Sequence, residues 1–114
     1  MIGIIIDGRS IAIVSHLNPL DIPWREPGVE LVIEATGTFT SADQAAAYLL
    51  AGAERVLVTA PSKGADVTLV VGVNEHGYDQ AEHQIISAAS CTTNALALIA
   101  RVLHECFGVC YAMV

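Results

Sequence analysis

The sequence predicts an α/β fold in which parallel strands follow an N-terminal β-hairpin. Three observations predict it. Two β-branched runs, residues 4–6 and 10–14, flank Asp7-Gly8-Arg9, and Asp-Gly between such runs is a strong hairpin signal. An apolar run, an alanine-rich stretch and a second apolar run then follow in order, the pattern of a βαβ unit. The apolar runs are short and end at Gly or Pro, as strands of a parallel sheet do.

The elements follow along the chain. "NPLDIPWREPG", residues 18–28, holds three prolines and reads as a loop with Trp24 as a packing anchor. "VELVIEATG", residues 29–37, is mostly apolar and reads as a strand buried on both faces. Ser41 and Gln44 then have capping-box spacing, the following alanines favour helix, and Gly52 suits the position just past its end. "RVLVTAP", residues 55–61, is a strand stopped by proline, and residues 67–74 read as another. Residues 75–83 are polar and read as loop. Residues 84–90 form a strand that feeds a long helix. Leu96, Ile99, Leu103 and Phe107 recur along that helix, Arg101 and Glu105 pair at i,i+4, and Gly108 ends it. The last six residues, "VCYAMV", read as a further strand. No internal repeat or low-complexity tract interrupts this order.

Composition narrows the function classes. The chain has 114 residues, 54% of them hydrophobic and 15% charged, which is too apolar for disorder and suits one small domain. With a net charge of -7 and five scattered basic residues, no basic patch for nucleic acid is visible. No run is long enough to span a membrane and no secretory leader is visible, so a cytoplasmic protein is expected. The three cysteines, Cys91, Cys106 and Cys110, are then expected as free thiols. His104, Cys106 and Cys110 are split by the helix end and lack a second ligand pair, so no metal site is expected.

The stretch with most chemistry is "SAASCTTN", residues 87–94. It places Cys91 at a strand-to-helix junction, and ligands of open α/β sheets bind outside the carboxyl ends of strands. Ser90 can cap the helix. A thiol in the first turn feels the positive end of the helix dipole, which favours the thiolate. The hydroxyls of Ser90 and Thr92, with the free N–H groups, suit an anion such as phosphate. The residues alone also allow a plainer reading, a polar cap around an inert thiol. For Cys106 and Cys110, in apolar surroundings, inert packing is the favoured reading.

"SCTTN", residues 90–94, resembles the active-site signature of the phosphorylating glyceraldehyde-3-phosphate dehydrogenases. "EATGTF" (34–39), "AGAERVLVTAPSKG" (51–64), "VVGVNEH" (70–76) and "FGV" (107–109) resemble that family in order and spacing, as do the hairpin and the "NPLDIPW" loop. The resemblance spans essentially the whole chain but only a middle section of such an enzyme. It implies the second part of a Rossmann-type dinucleotide-binding domain, residues 1–90, followed by the active-site helix and start of a catalytic domain, residues 91–114.

The resemblance also implies roles. Cys91 matches the nucleophile that attacks the aldehyde; Ser90 and Thr92 match substrate or phosphate contacts. Thr36 and Gly37 match a turn along an NAD or NADP cofactor, and Thr59 matches a contact near the nicotinamide ribose. A phosphorylated aldehyde and inorganic phosphate would be the substrates, and the family is homotetrameric. The family's Gly-rich loop and acidic ribose contact would precede Met1. Its general-base histidine would follow Val114, and His16, His76, His83 and His104 do not match it.

Leu17, Ala88, Ala95 and Ala112 depart from the family pattern, and of these Ala88 is near the thiol. Within the family, an erythrose-4-phosphate dehydrogenase is the alternative. Outside it, the alternative is a non-catalytic nucleotide-site remnant or interaction module.

Overall fold

The computed structural model describes residues 2–113. Strands β1 (Ile2–Ile6) and β2 (Arg9–Ile13) form the expected antiparallel hairpin. Asp7 and Gly8 join them with φ of 49° and 78°, the paired left-handed geometry that matches the twist of a two-residue hairpin. Both strands are exposed along their whole length.

A second sheet carries β3 (Leu31–Glu34), β4 (Arg55–Val58), β5 (Val67–Thr68) and β6 (Ile85–Ser87). Its order is β3-β4-β6-β5 and every pair is parallel. Helix α1 (Ala42–Leu50) crosses between β3 and β4, so the βαβ unit is present. Its Ser41 and Gln44 form the full capping box, each side chain serving the other's backbone N–H. Gly52, with φ of 112°, lies just beyond the C-cap Ala51.

The core lies between α1 and one face of this sheet. Val32, Val56, Val58 and Ile85 meet Ala45, Tyr48 and Ala53 there, with Trp24, Val29 and Phe39 packed at its margin. Each buried valine contributes about 1.5–3 kcal/mol of transfer free energy. Trp24 thus serves as the expected anchor, its ring centroid 6.1 Å from that of Tyr48.

Several expectations need correction. β3 is not buried on both faces: its alternate residues Leu31 and Ile33 are 47% and 60% exposed, because α1 covers only the other side. The strand expected over 67–74 stops at Thr68. The Asn74 side chain accepts from the Val70 N–H and donates to the Thr68 carbonyl, bending residues 70–74 into a turn. Residues 109–113 form no strand, since nothing among the described residues pairs with them; Val114 lies outside those residues. Cys106 and Cys110 are exposed, not enclosed by apolar neighbours.

Helix α2 (Cys91–Phe107) has the expected length, with Ser90 as its N-cap and Gly108, φ 69°, at its end. The Arg101–Glu105 pair closes at 2.7 Å. Its apolar stripe is uncovered: Leu96, Ile99, Leu103 and Phe107 are all exposed.

Candidate functional site

Because the strands are parallel, the carboxyl ends of β3, β4 and β6 fall on one edge of the sheet, and the sequence-predicted residues gather there. The edge is stitched by hydrogen bonds. The Thr59 N–H and hydroxyl both donate to the Glu34 carbonyl, at 3.0 and 3.1 Å. The Ala88 N–H donates to the Val58 carbonyl at 2.9 Å, and the Ser87 hydroxyl donates to the Ala60 carbonyl at 2.8 Å. Thr59 is therefore a link between β3 and β4 in this chain.

Beyond β6 the chain must reverse to start α2. Ala89 makes the reversal with φ of 60°, which is uncommon for a residue with a Cβ. Asn94 holds the bend: its Nδ2 donates to the Ala88 and Ser90 carbonyls at 2.8 and 2.9 Å. The Ser90 hydroxyl accepts from the Thr93 N–H at 2.9 Å and lies 2.7 Å from the Thr93 hydroxyl. This leaves the first-turn N–H groups of Cys91 and Thr92 without an intrahelical acceptor. Cys91 is exposed at the first helical position, its sulfur 4.0 Å from the Thr92 hydroxyl.

The turn after β3 is organised differently. Glu34 is 2% exposed, and its Oε1 accepts from the Thr36 N–H at 2.6 Å and the Thr36 hydroxyl at 2.5 Å. Its Oε2 accepts from the Tyr48 hydroxyl on α1. Burial works to raise the Glu34 carboxyl, but the donors on Thr36, Tyr48 and Gly37 outweigh it and hold the group below its ordinary 4.5. The Tyr48 phenol is pushed above its ordinary 10.0 by burial, and by the hydrogen bond and charge of Glu34. Gly37 takes φ of 74°, and a Cβ there would meet no atom within 4 Å, so the space over the turn is open.

Two shallow grooves open along this edge. One, of about 450 Å³, is lined by Ser62, Lys63, Thr68, Ser90 and Thr93 among others, with Lys63 its only basic residue. The other, of about 490 Å³, lies under Thr36 and is lined by His16, Trp24, Glu34, Phe39 and Tyr48 among others. Ser90 and Thr36 thus line separate grooves; Cys91, Thr92, Gly37 and Thr59 line neither. Sequence reasoning missed Glu34, Tyr48 and Asn94. A signal existed for Glu34, since it shares the inward face of β3 with Val32, two residues earlier.

Known proteins match this chain closely. Residues 2–42 match the family described as glyceraldehyde 3-phosphate dehydrogenase, NAD binding domain. A glyceraldehyde-3-phosphate dehydrogenase of Streptomyces coelicolor is 51% identical over 106 residues, 93% of this chain and 32% of the relative. The chain is homologous to the glyceraldehyde-3-phosphate dehydrogenases. A glyceraldehyde-3-phosphate dehydrogenase 2 of Trichormus variabilis is 52% identical over 107 residues, 94% of this chain and 32% of that protein. A glyceraldehyde-3-phosphate dehydrogenase of Geobacillus stearothermophilus is 45% identical over 111 residues, 97% of this chain and 33% of that protein. The chain spans about a third of the length of these curated dehydrogenases. The range matching the NAD binding domain includes Glu34, Thr36 and Gly37 but stops before Thr59 and Cys91.

Proposed function

We propose that this chain supplies part of the cofactor site and the nucleophile of an NAD(P)-dependent, phosphorylating glyceraldehyde-3-phosphate dehydrogenase. The supporting observation is the exposed Cys91 at the first position of α2, on the same sheet edge as the Thr36–Gly37 turn.

The residues present fit a dinucleotide: Gly37 leaves open space above the turn, and Thr36 and Thr59 fix the strand ends beneath it. Cys91 adds as thiolate to the aldehyde carbonyl, forming a carbon–sulfur bond and a thiohemiacetal. The free first-turn N–H groups beside it face the reacting centre. A bound nicotinamide dinucleotide supplies the two-electron acceptor that converts such an adduct into a thioester. Inorganic phosphate then attacks the thioester carbon, releasing the Cys91 thiolate and an acyl phosphate. Thr92 and the free first-turn N–H groups attract the anion, with Ser90 holding the turn in shape.

In this reading residues 1–90 belong to the cofactor domain, and residues 91–114 open the catalytic domain. The enzyme works in the cytoplasm as a homotetramer. The test is NAD- and phosphate-dependent oxidation of glyceraldehyde 3-phosphate by the complete protein, with the Cys91→Ala variant alongside. Activity lost in the variant with cofactor binding kept supports the assignment. Turnover retained by Cys91→Ala overturns it, and faster oxidation of erythrose 4-phosphate reassigns the substrate.

A further inference from the structure

The geometry points to Glu34 as a positioning residue, whose buried carboxylate and its Tyr48 partner set the turn on which the dinucleotide rests. The inference depends on the dinucleotide reading given above, and deepens it.

The carboxylate ties two elements together. One oxygen takes both donors of Thr36, at 2.6 and 2.5 Å, and the other takes the Tyr48 hydroxyl. Tyr48 is itself 6% exposed and is held on α1 between two aromatic rings. The Phe39 centroid lies at 5.9 Å and that of Trp24 at 6.1 Å. The strand-end turn is therefore pegged from below to the helix that covers the sheet.

The same bonds decide what the turn can offer a ligand. The single hydroxyl proton of Thr36 is committed to Glu34, and its oxygen accepts from the Thr38 N–H at 3.1 Å. Thr36 has no hydroxyl donor left for a cofactor. What faces outward is the bare backbone at Gly37, whose φ of 74° depends on the turn being held. Thr36 acts through the shape of the turn, and Glu34 sets that shape. An apolar residue at position 34 would leave the buried Tyr48 hydroxyl, and the part-buried donors of Thr36, without an acceptor.

The test uses the complete protein with Glu34→Gln and Tyr48→Phe. Tyr48→Phe keeps the ring packing between Trp24 and Phe39, so it reports even if Glu34→Gln does not fold. NAD binding is measured by calorimetry, and exchange of the Thr36 and Gly37 amides by hydrogen–deuterium exchange. Both variants are expected to speed exchange at these amides and to weaken NAD by about tenfold, the loss of one charge-assisted hydrogen bond. KM for NAD should rise while KM for phosphate stays within about twofold, a split that general destabilisation would not give. If wild-type protein does not bind NAD, both the dinucleotide reading and this role fall. If wild-type binds and both variants bind equally well, the dinucleotide reading stands and the positioning role is overturned. Unchanged amide exchange in both variants overturns the peg itself.

Discussion

Arg101 on α2 reaches back to the turn after β5. Its Nη1 donates to the Gly72 carbonyl at 2.5 Å and the Val73 carbonyl at 3.3 Å, while its Nε pairs with Glu105. Directly beside this contact, a Cβ on Gly72 would lie 2.8 Å from Leu98 Cδ2. With no residue of α2 buried, this clamp and the Asn94 bend at the other end fix the helix that carries Cys91.

Gly72→Ala tests the clamp. Gly72 has φ of 87°, a conformation costing about 1–3 kcal/mol for an L residue, and the new methyl also presses on Leu98. The expected result is a lowered thermal midpoint with faster amide exchange in α2. Adding Leu98→Ala should relieve the steric part and leave the backbone part. An unchanged midpoint in Gly72→Ala would show that the turn is free to rearrange.

Much of this arrangement was legible in the sequence because it is local. Asp7-Gly8, the Ser41–Gln44 box, the Ser90 cap and the Gly108 stop each act within a few residues, and each lies where the pattern placed it. The parallel sheet followed from the order of apolar runs. What was not legible depends on distant partners. The apolar run after Thr68 looks strand-like, but the Asn74 side chain turns it. Leu31 and Ile33 read as buried, yet alternation on a strand covered on one side exposes them. In the candidate site, the hydroxyl and thiol residues were visible as types in a motif. Glu34 and Tyr48 lie 14 positions apart and join only after α1 folds onto β3.

Thiol labelling separates the three cysteines. All are exposed, so exposure alone does not rank them. Cys91 sits at the N-terminus of α2, whereas Cys106 lies in its last turn and Cys110 beyond it. The first turn of a helix offers free N–H donors that can hold the reagent's carbonyl oxygen beside Cys91, whereas the last turn offers only carbonyls. Iodoacetamide should therefore alkylate Cys91 first, as read by peptide mapping at short times. Equal rates at all three would remove the argument from helix position for a nucleophile.

The Ser90 hydroxyl has two separable duties. It caps α2 through the Thr93 N–H, and it lines the groove with Lys63. Ser90→Ala should cost about 0.5–2 kcal/mol of stability from the lost cap. Thr92 caps nothing, so Thr92→Ala should leave the thermal midpoint nearly unchanged while weakening phosphate dependence in the dehydrogenase assay. Ser90→Asp should restore the cap but repel the anion. A Thr92→Ala variant with unaltered phosphate KM would count against an anion at this turn.

The Glu34–Tyr48 pair should leave a mark on stability at both ends of the pH scale. Glu34 is held below its ordinary 4.5, so the folded state binds its proton less readily than the unfolded chain does. Its contribution is present above about pH 4.5 and is lost as acidification carries the pH down through the lowered folded value. Tyr48 is shifted the other way. Its contribution is complete below pH 10.0, and is lost as the pH rises from there toward the raised folded value. Urea unfolding of wild type, Glu34→Gln and Tyr48→Phe across pH reads these two limbs. Glu34→Gln should flatten the acid limb, and Tyr48→Phe should remove the Tyr48 part of the alkaline one. Tyr48→Phe should also make the acid limb shallower, because it takes away one of the donors that hold the Glu34 carboxylate ionised. An acid limb of wild-type steepness in Glu34→Gln would mean that other carboxylates control it and that the buried hydrogen bonds at Glu34 contribute little to the folded state.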